Sequence, residues 1–299
     1  MSLEEIFQSW SEGPSKTEES KCENTENVIR ETLNNDETLS KMDISVLTQG
    51  SYKARTNVKL DSDVDICILL NSQFFYDLPA TVNLQSTGIT DATLTYQQFK
   101  NLVEIALINR FGKNNVTRGN KAFDIHENTY RVDADVVPAF GHRRYTGKFN
   151  SDGSHAYLSG VELRPDNSGK IINWPDQTHE NGVYKNSLTS RKYKRAIRIL
   201  KRLRNAMQED KIKEAEDIGS FLIESLVWNV PNSAFTHEKY EDIMRDVLAH
   251  TFNNTLAQEK CDEWGEVNEL KYLFKGGQPW TREQSHKFLS AAWDYIGYK

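Results

Sequence analysis

The stretch that decides the fold begins at Gly50-Ser51-Tyr52 and resumes at Asp63-Val64-Asp65-Ile66-Cys67-Ile68-Leu69-Leu70. Strand side chains alternate between two faces, so Asp63 and Asp65 point one way and Val64, Ile66 and Ile68 the other. Two like charges held side by side against an apolar strand repel each other and resist losing water. A divalent cation bridging them removes both penalties. The segment therefore reads as a metal site and the turn before it as a phosphate cradle. Gly50 lets the backbone approach a ligand closely, and the Ser51 hydroxyl can meet a phosphate oxygen. Taken alone, the turn could be a plain turn and the acid pair a solvent-facing edge strand.

A second acidic strand changes that balance. Tyr130-Arg131-Val132-Asp133-Ala134-Asp135-Val136-Val137-Pro138-Ala139-Phe140 again sets acids at i and i+2 ahead of apolar residues. Laid parallel or antiparallel beside the first strand, it brings a third carboxylate to the same place. Ligation by oxygen alone suits magnesium, with manganese as an alternative. The seven His are scattered, and Cys22, Cys67 and Cys261 lie far apart, so nothing has zinc-site spacing.

Gly-Ser followed, eleven residues after Ser51, by Asp-apolar-Asp-apolar resembles the signature of the polymerase-β-like nucleotidyltransferases, although Gln49 stands where an apolar residue is commoner. Within that superfamily the chain is most similar to the bacterial cGAS/DncV-like nucleotidyltransferases, the CD-NTases of anti-phage signalling. The stretches that carry the likeness are Thr48–Thr56, Arg131–Ala139, Asn173-Trp174-Pro175 with Asn181-Gly182, and a basic helix near residue 200. The resemblance spans roughly residues 40 to 230. It implies an α/β nucleotidyltransferase core with a mixed sheet, a carboxy-terminal helical lobe, an active site in the cleft between them, and synthesis of cyclic oligonucleotides from NTPs. It also selects Asp135 over Asp133 as the third carboxylate, leaving Asp133 as a supporting group on the same face.

Composition agrees with a soluble enzyme. The chain has 299 residues, 37% of them hydrophobic, and its longest apolar run, Ile66 to Leu70, is far short of the ~20 residues a bilayer needs. The acidic amino terminus lacks a signal-peptide core, and three dispersed Cys give no disulfide framework, so a reducing cytoplasm is expected. A net charge of −6 disfavours double-stranded nucleic acid as a partner and favours small NTP substrates. A regulatory partner protein is left open.

Along the chain, residues 1 to 12 are amphipathic and Pro14 breaks the pattern. Lys16 to Leu33 reads as a charged helix and Thr93 to Phe111 as a core helix. Gly141 to Asn186 reads as hairpins and loops, and helices are expected over 190–209, 217–229, 236–255, 257–274 and 281–296. The division expected is 1–160, core with amino-terminal helices, and 161–299, mainly helical.

The helix from Ser190 to Met207 is chemically loaded, with eight Lys or Arg among the fourteen residues from Arg191 to Arg204. Tyr193, Ala196, Ile197, Leu200, Leu203 and Met207 share its apolar face, and Lys194, Arg198 and Lys201 edge that face. From composition alone, a solvated basic face and a triphosphate-binding edge are equal readings. The family resemblance selects Lys201 for the triphosphate, with Lys194 in reserve. Ser220 opens the next apolar helix; it reads as an ordinary N-cap, and the resemblance turns it toward phosphate contact. Asn173 has an amide that can meet a uracil or adenine edge, though a turn before Trp174-Pro175 uses an Asn equally well.

The expected mechanism is phosphodiester formation with Asp63, Asp65 and Asp135 holding two magnesium ions. Transfer to another acceptor (an RNA 3′ end, a small molecule or a protein) and a non-catalytic nucleotide sensor are the alternatives.

Overall fold

The computed structural model describes residues 1–58, 64–126 and 132–298. They form two compact units. One comprises residues 16–50 and 62–175, the other residues 1–15, 51–61 and 176–299.

The first unit is built on one mixed sheet. In chain order it contains helix α2 (Lys16–Asn35), strand β1 (Ile44–Thr48), β2 (Val64–Asp77), helix α4 (Tyr96–Phe111), β3 (Val116–Arg118), β4 (Phe123–Ile125), β5 (Ala134–Phe149), β6 (His155–Leu163) and β7 (Ile171–Asn173). The strand order is β1-β2-β5-β4-β3, with β6 pairing β5 farther along its length and β7 pairing β6. Among the described residues only β2 and β5 run parallel, joined by a crossover through α4; the other pairs are antiparallel. Val64, Ile66, Ile68 and Leu70 of β2 and Val136 and Phe140 of β5 are buried. Their face carries α2 and α4, whose Ile29, Leu33, Phe99, Val103 and Leu107 are buried in turn. Thr95 and Gln98 close a capping box that starts α4. Between Leu70 and Phe74 the β2–β5 register shifts: Leu70 faces Phe140, yet Phe74 faces Gly141. This bulge turns Phe75 onto the ring of Phe140, 5.5 Å away between centroids, in a cluster with Tyr96 and Phe99.

The second unit is helical. It holds α1 (Leu3–Ser11), α6 (Lys192–Glu209), α7 (Ser220–Trp228), α8 (Tyr240–Thr255), α9 (Gln258–Cys261) and α10 (Arg282–Tyr295). The short α3 (Gly50–Ala54) and the helix α5 (Pro175–Leu188) each begin with a residue of the first unit and continue in this one. Tyr193, Ala196, Ile197, Leu200, Leu203 and Met207 are all buried, so the apolar face read from the sequence is the face that packs.

Two expectations need correction. Within Gly141 to Asn186 the expected hairpins are present, as β5 with β6 and β6 with β7, but from Pro175 the chain forms helix α5 in place of loops. Pro175 sits at the first helical position, where its missing N–H costs nothing. The helix expected over 257–274 stops at Cys261. There Gly265 bridges Tyr272 across a turn, Asn268 accepts from the Leu270 N–H, and Glu269 takes a left-handed φ of 58°. Trp264 and Phe274 still pack on the core, brought there by a folded-back turn.

Lys185 on α5 closes the far end of α7. Its ammonium donates to the carbonyls of Trp228 at 2.8 Å and Val230 at 2.7 Å, among the rings of Tyr193, Trp228 and Phe235. Burial lowers its pKa to about 8. Unfolded lysine titrates near ~10.4. Between these values the unfolded chain binds the extra proton, so this residue's contribution to stability rises with pH through the window and is flat below and above it. Thermal unfolding of the wild type compared with Lys185→Met from pH 7 to 10.5 checks this: the difference between them should shift in the wild type's favour above pH 8.

Candidate active site

The acidic residues lie at the start of the parallel strand pair. Asp65 and Asp135 are direct partners in the β2–β5 register, so their side chains leave the same face of the sheet. That register is held by the Val64 N–H donating to the Asp133 carbonyl at 3.1 Å. Asp133 itself is half-buried, and the Val132 N–H reaches Thr25 Oγ1 on α2. Asp63 falls outside the described residues. On β4, Asp124 faces Asp135 from the other side, an acid that the sequence did not single out. Among the described residues no group of three His, Cys, Asp or Glu converges as a metal cage. Behind the acids the same face carries a small apolar patch of Cys67, Ala139 and Val161, with Leu47 and Leu69 at its margin.

The turn read as a phosphate cradle closes on Asp65. The Gln49 N–H donates to the Asp65 carbonyl at 2.8 Å, which aligns the end of β1 with the acid. Gly50 follows with φ +60°, a left-handed conformation that other residues adopt only under strain. A Cβ on Gly50 would overlap Asp65 Oδ2 and lie 2.9 Å from its Cγ. Glycine is required here on two counts. The oxygen donors of Asp65 and Asp135, side by side beneath a turn with no side chain, fit a hard divalent cation.

The basic residues singled out in the sequence belong to the helical unit. Ser51 opens the segment that runs to Thr56, and its carbonyl accepts the Thr56 N–H at 2.9 Å. Between them Arg55 takes a left-handed φ of 53°. The stripe Lys194, Arg198 and Lys201 faces inward. Arg198 donates to the carbonyls of Ser11 and Arg55, and burial brings its pKa down to about 10. Lys201 is 1% exposed and donates to Glu224 Oε1 at 2.6 Å and to the Thr56 carbonyl at 3.2 Å. Lys194 is buried beside a void about one water molecule in size, lined also by Thr56, His179, Tyr193 and Glu224. Burial lowers its pKa, and the nearby Glu224 carboxylate opposes that shift. Arg198 and Lys201 therefore fasten the 51–56 segment, a use distinct from the solvated face that composition allowed.

Ser220 is the first residue of α7, and the N-cap is Gly219, which offers no side-chain cap. The Ser220 hydroxyl accepts from Arg204 Nη2 at 3.3 Å, while Arg204 Nη1 donates to the Ile218 carbonyl. Asn173 ends β7 and is exposed; it is a strand residue, not the loop residue expected. The next residue, Trp174, is buried, its ring under the Arg144 guanidinium at 4.5 Å and beside His142. The sequence reading missed Thr56, Arg204 and Glu224. A lone charge inside Phe221-Leu222-Ile223-Glu224-Ser225-Leu226-Val227 was the available signal, since a buried carboxylate demands a partner.

A family model of the cGAS/DncV-like nucleotidyltransferase C-terminal helical domain matches residues 180–297. The chain is 43% identical over 295 residues to the cyclic dipyrimidine nucleotide synthase CdnE of Legionella pneumophila, covering 98% of this chain and 97% of that protein. It is 38% identical over 296 residues to the protein of the same name from Cecembia lonarensis, covering 99% and 98%. The solved structure of Rhodothermus marinus CdnE c-UMP-AMP synthase with Apcpp and Upnpp aligns with a TM-score of 0.84 at 29% identity, covering 100% of this chain and 99% of that one.

Gly50→Ala should destabilise the protein by about 1–2 kcal/mol from its backbone conformation alone, and more from overlap with Asp65. Adding Asp65→Ala should restore the second part only. A double-mutant cycle read by denaturant unfolding measures the coupling, and strict additivity would mean that the carboxylate has room to move aside.

Proposed function

The chain belongs to the cGAS/DncV-like nucleotidyltransferases, and from that premise we propose that it joins two NTPs, pyrimidine nucleotides foremost, into a cyclic dinucleotide. That it is a nucleotidyltransferase making cyclic oligonucleotides rests on end-to-end identity with synthases of that kind. The observation that carries the base preference is the 43% identity with a cyclic dipyrimidine nucleotide synthase. The likeness of its motifs to the CD-NTases of anti-phage signalling supports a role for the product in that setting.

In the first round a ribose hydroxyl oxygen of one NTP forms a bond to the α-phosphorus of a second NTP. In the next round the remaining ribose hydroxyl of that linear product forms a bond to the α-phosphorus of the triphosphate it still carries, which closes the ring. Each time the bond from that phosphorus to the bridging oxygen breaks, pyrophosphate leaves with the electron pair, and the hydroxyl proton passes to solvent. Asp65 and Asp135, with Asp63, are the residues that would hold two magnesium or manganese ions. Such ions, when bound, supply charge neutralisation for the phosphates and acidify the attacking hydroxyl. The protein's own contribution is position and charge. Gly50 leaves room for phosphate against Asp65, and the Ser51 hydroxyl donates to a phosphate oxygen. Lys201, Ser220 and Lys194 are the groups assigned to the departing pyrophosphate, and Asn173, exposed at the end of its strand, is assigned to a base edge.

Asp65→Asn and Asp135→Asn should each lower product formation by more than about 1000-fold while leaving the melting temperature unchanged or higher, because each removes one of two adjacent like charges. Mass spectrometry of products, with calorimetry on the same samples, reads both. Mass spectrometry of products from all four NTPs, then with each omitted, should show the ring lost when UTP or CTP is withheld. Full yield without either pyrimidine would overturn the base assignment.

A further inference from the structure

Glu224 is a buried carboxylate to which the reaction as described gives no task. Its Oε1 accepts from Lys201 Nζ at 2.6 Å and from Thr56 Oγ1 at 2.6 Å. Lys201 Nζ also donates to the Thr56 carbonyl at 3.2 Å and stands 3.4 Å from the Thr56 hydroxyl. The three side chains are almost wholly buried, at 5%, 1% and 2% exposure. One carboxylate oxygen thus fixes an ammonium of α6 and the closing residue of the segment that opens at Ser51.

The Thr56 hydroxyl has a single proton, and Glu224 takes it. The contact from Lys201 to that hydroxyl is the longest of the ammonium's three. Two of its N–H groups are therefore firmly directed, and the third is the one able to turn to another acceptor. A bare ammonium in that apolar setting would be strongly disfavoured without Glu224. The same oxygen restrains the 51–56 segment, whose Arg55 holds a strained backbone and whose other carbonyl anchor is Arg198.

We propose that Glu224 is a positioning residue for nucleotide phosphate binding, acting through Lys201, whose ammonium in turn holds the Ser51–Thr56 segment at the Thr56 carbonyl. This rests on the reading above that Ser51 and Lys201 meet phosphate. A purely structural ion pair would affect stability alone. A positioning residue affects the affinity for phosphate more than turnover, and it does so through Lys201.

The test compares wild type, Glu224→Gln, Lys201→Met and the double variant Lys201→Met/Glu224→Gln. The readouts are calorimetric binding of UTP and of inorganic triphosphate, steady-state pyrophosphate release, and thermal unfolding. Glu224→Gln should weaken UTP and triphosphate binding about tenfold and raise KM in step, with kcat within about threefold of wild type. The double variant should bind no more weakly than Lys201→Met alone, because Glu224 acts through that ammonium. Unchanged affinity in Glu224→Gln, or additive losses in the double variant, overturns the proposal. Should Glu224→Gln fail to fold, Lys201→Met/Glu224→Met leaves no buried charge behind and carries the test. It should fold and bind UTP about tenfold more weakly, and wild-type affinity in it overturns the proposal. Wild-type protein that binds UTP without releasing pyrophosphate contradicts the synthase reading and leaves the role of Glu224 to be read from binding. Wild-type protein that binds neither ligand overturns both.

Discussion

The parallel pairing of β2 with β5 sets Asp65 directly beside Asp135, and much of the sheet unit exists to make that arrangement tolerable. Two carboxylates at the spacing of neighbouring strands, roughly 5 Å apart, repel each other. The repulsion is borne by what lies on the opposite face. Val64, Ile66 and Ile68 alternate with the acids and are buried against α2 and α4. Slipping either strand by one residue would bury the acids and expose the core, so the hydrophobic pattern locks the register that the chemistry needs. The Val64 N–H bonded to Asp133 and the Gln49 N–H bonded to Asp65 pin the same corner through the backbone.

The helical unit solves a different problem, that of giving buried cations acceptors where water is scarce. Along α6, Arg198, Lys201 and Arg204 each find oxygen acceptors: carbonyls at Ser11, Arg55, Thr56 and Ile218, the Glu224 carboxylate and the Ser220 hydroxyl. Ser220 and Glu224 stand one turn apart on α7, and Lys201 and Arg204 grip them from one edge of α6. Buried charges with this many acceptors are strongly destabilising to break in halves and much less so to remove in pairs. Around these charges the unit's core is mainly apolar, from Tyr193 to Ala292.

What could be read from the sequence followed periodicity. The apolar alternation around Asp65 and Asp135 identified both strands, and the 3.6-residue spacing of Tyr193 to Met207 identified α6 together with its packed face. Features built from partners distant in sequence were not legible. The parallel choice for β2 and β5 depends on α4 as a crossover, which spacing alone leaves undecided. The inward direction of Lys201 depends on Thr56 and Glu224, and that of Arg198 on Ser11 and Arg55, all far away along the chain. Around residues 264–274 the expected helix is absent because a folded-back turn brings Trp264 and Phe274 to one core instead. Strand β7 was missed for its brevity, three residues paired on a neighbour whose own existence had to be known first.

The register shift between Leu70 and Phe74 has a bearing on how this sheet can diverge. Three residues of β2 are passed over while β5 advances without a break, so odd-numbered Phe75 joins even-numbered Phe140 beneath the sheet. An offset of this kind insulates one stretch of a ladder from the other. Lengthening or recasting the outer portion, through Asp77 on β2 and Phe149 on β5, leaves the facing of Asp65 and Asp135 untouched. A lineage could therefore remodel that outer edge freely while inheriting the acidic corner intact.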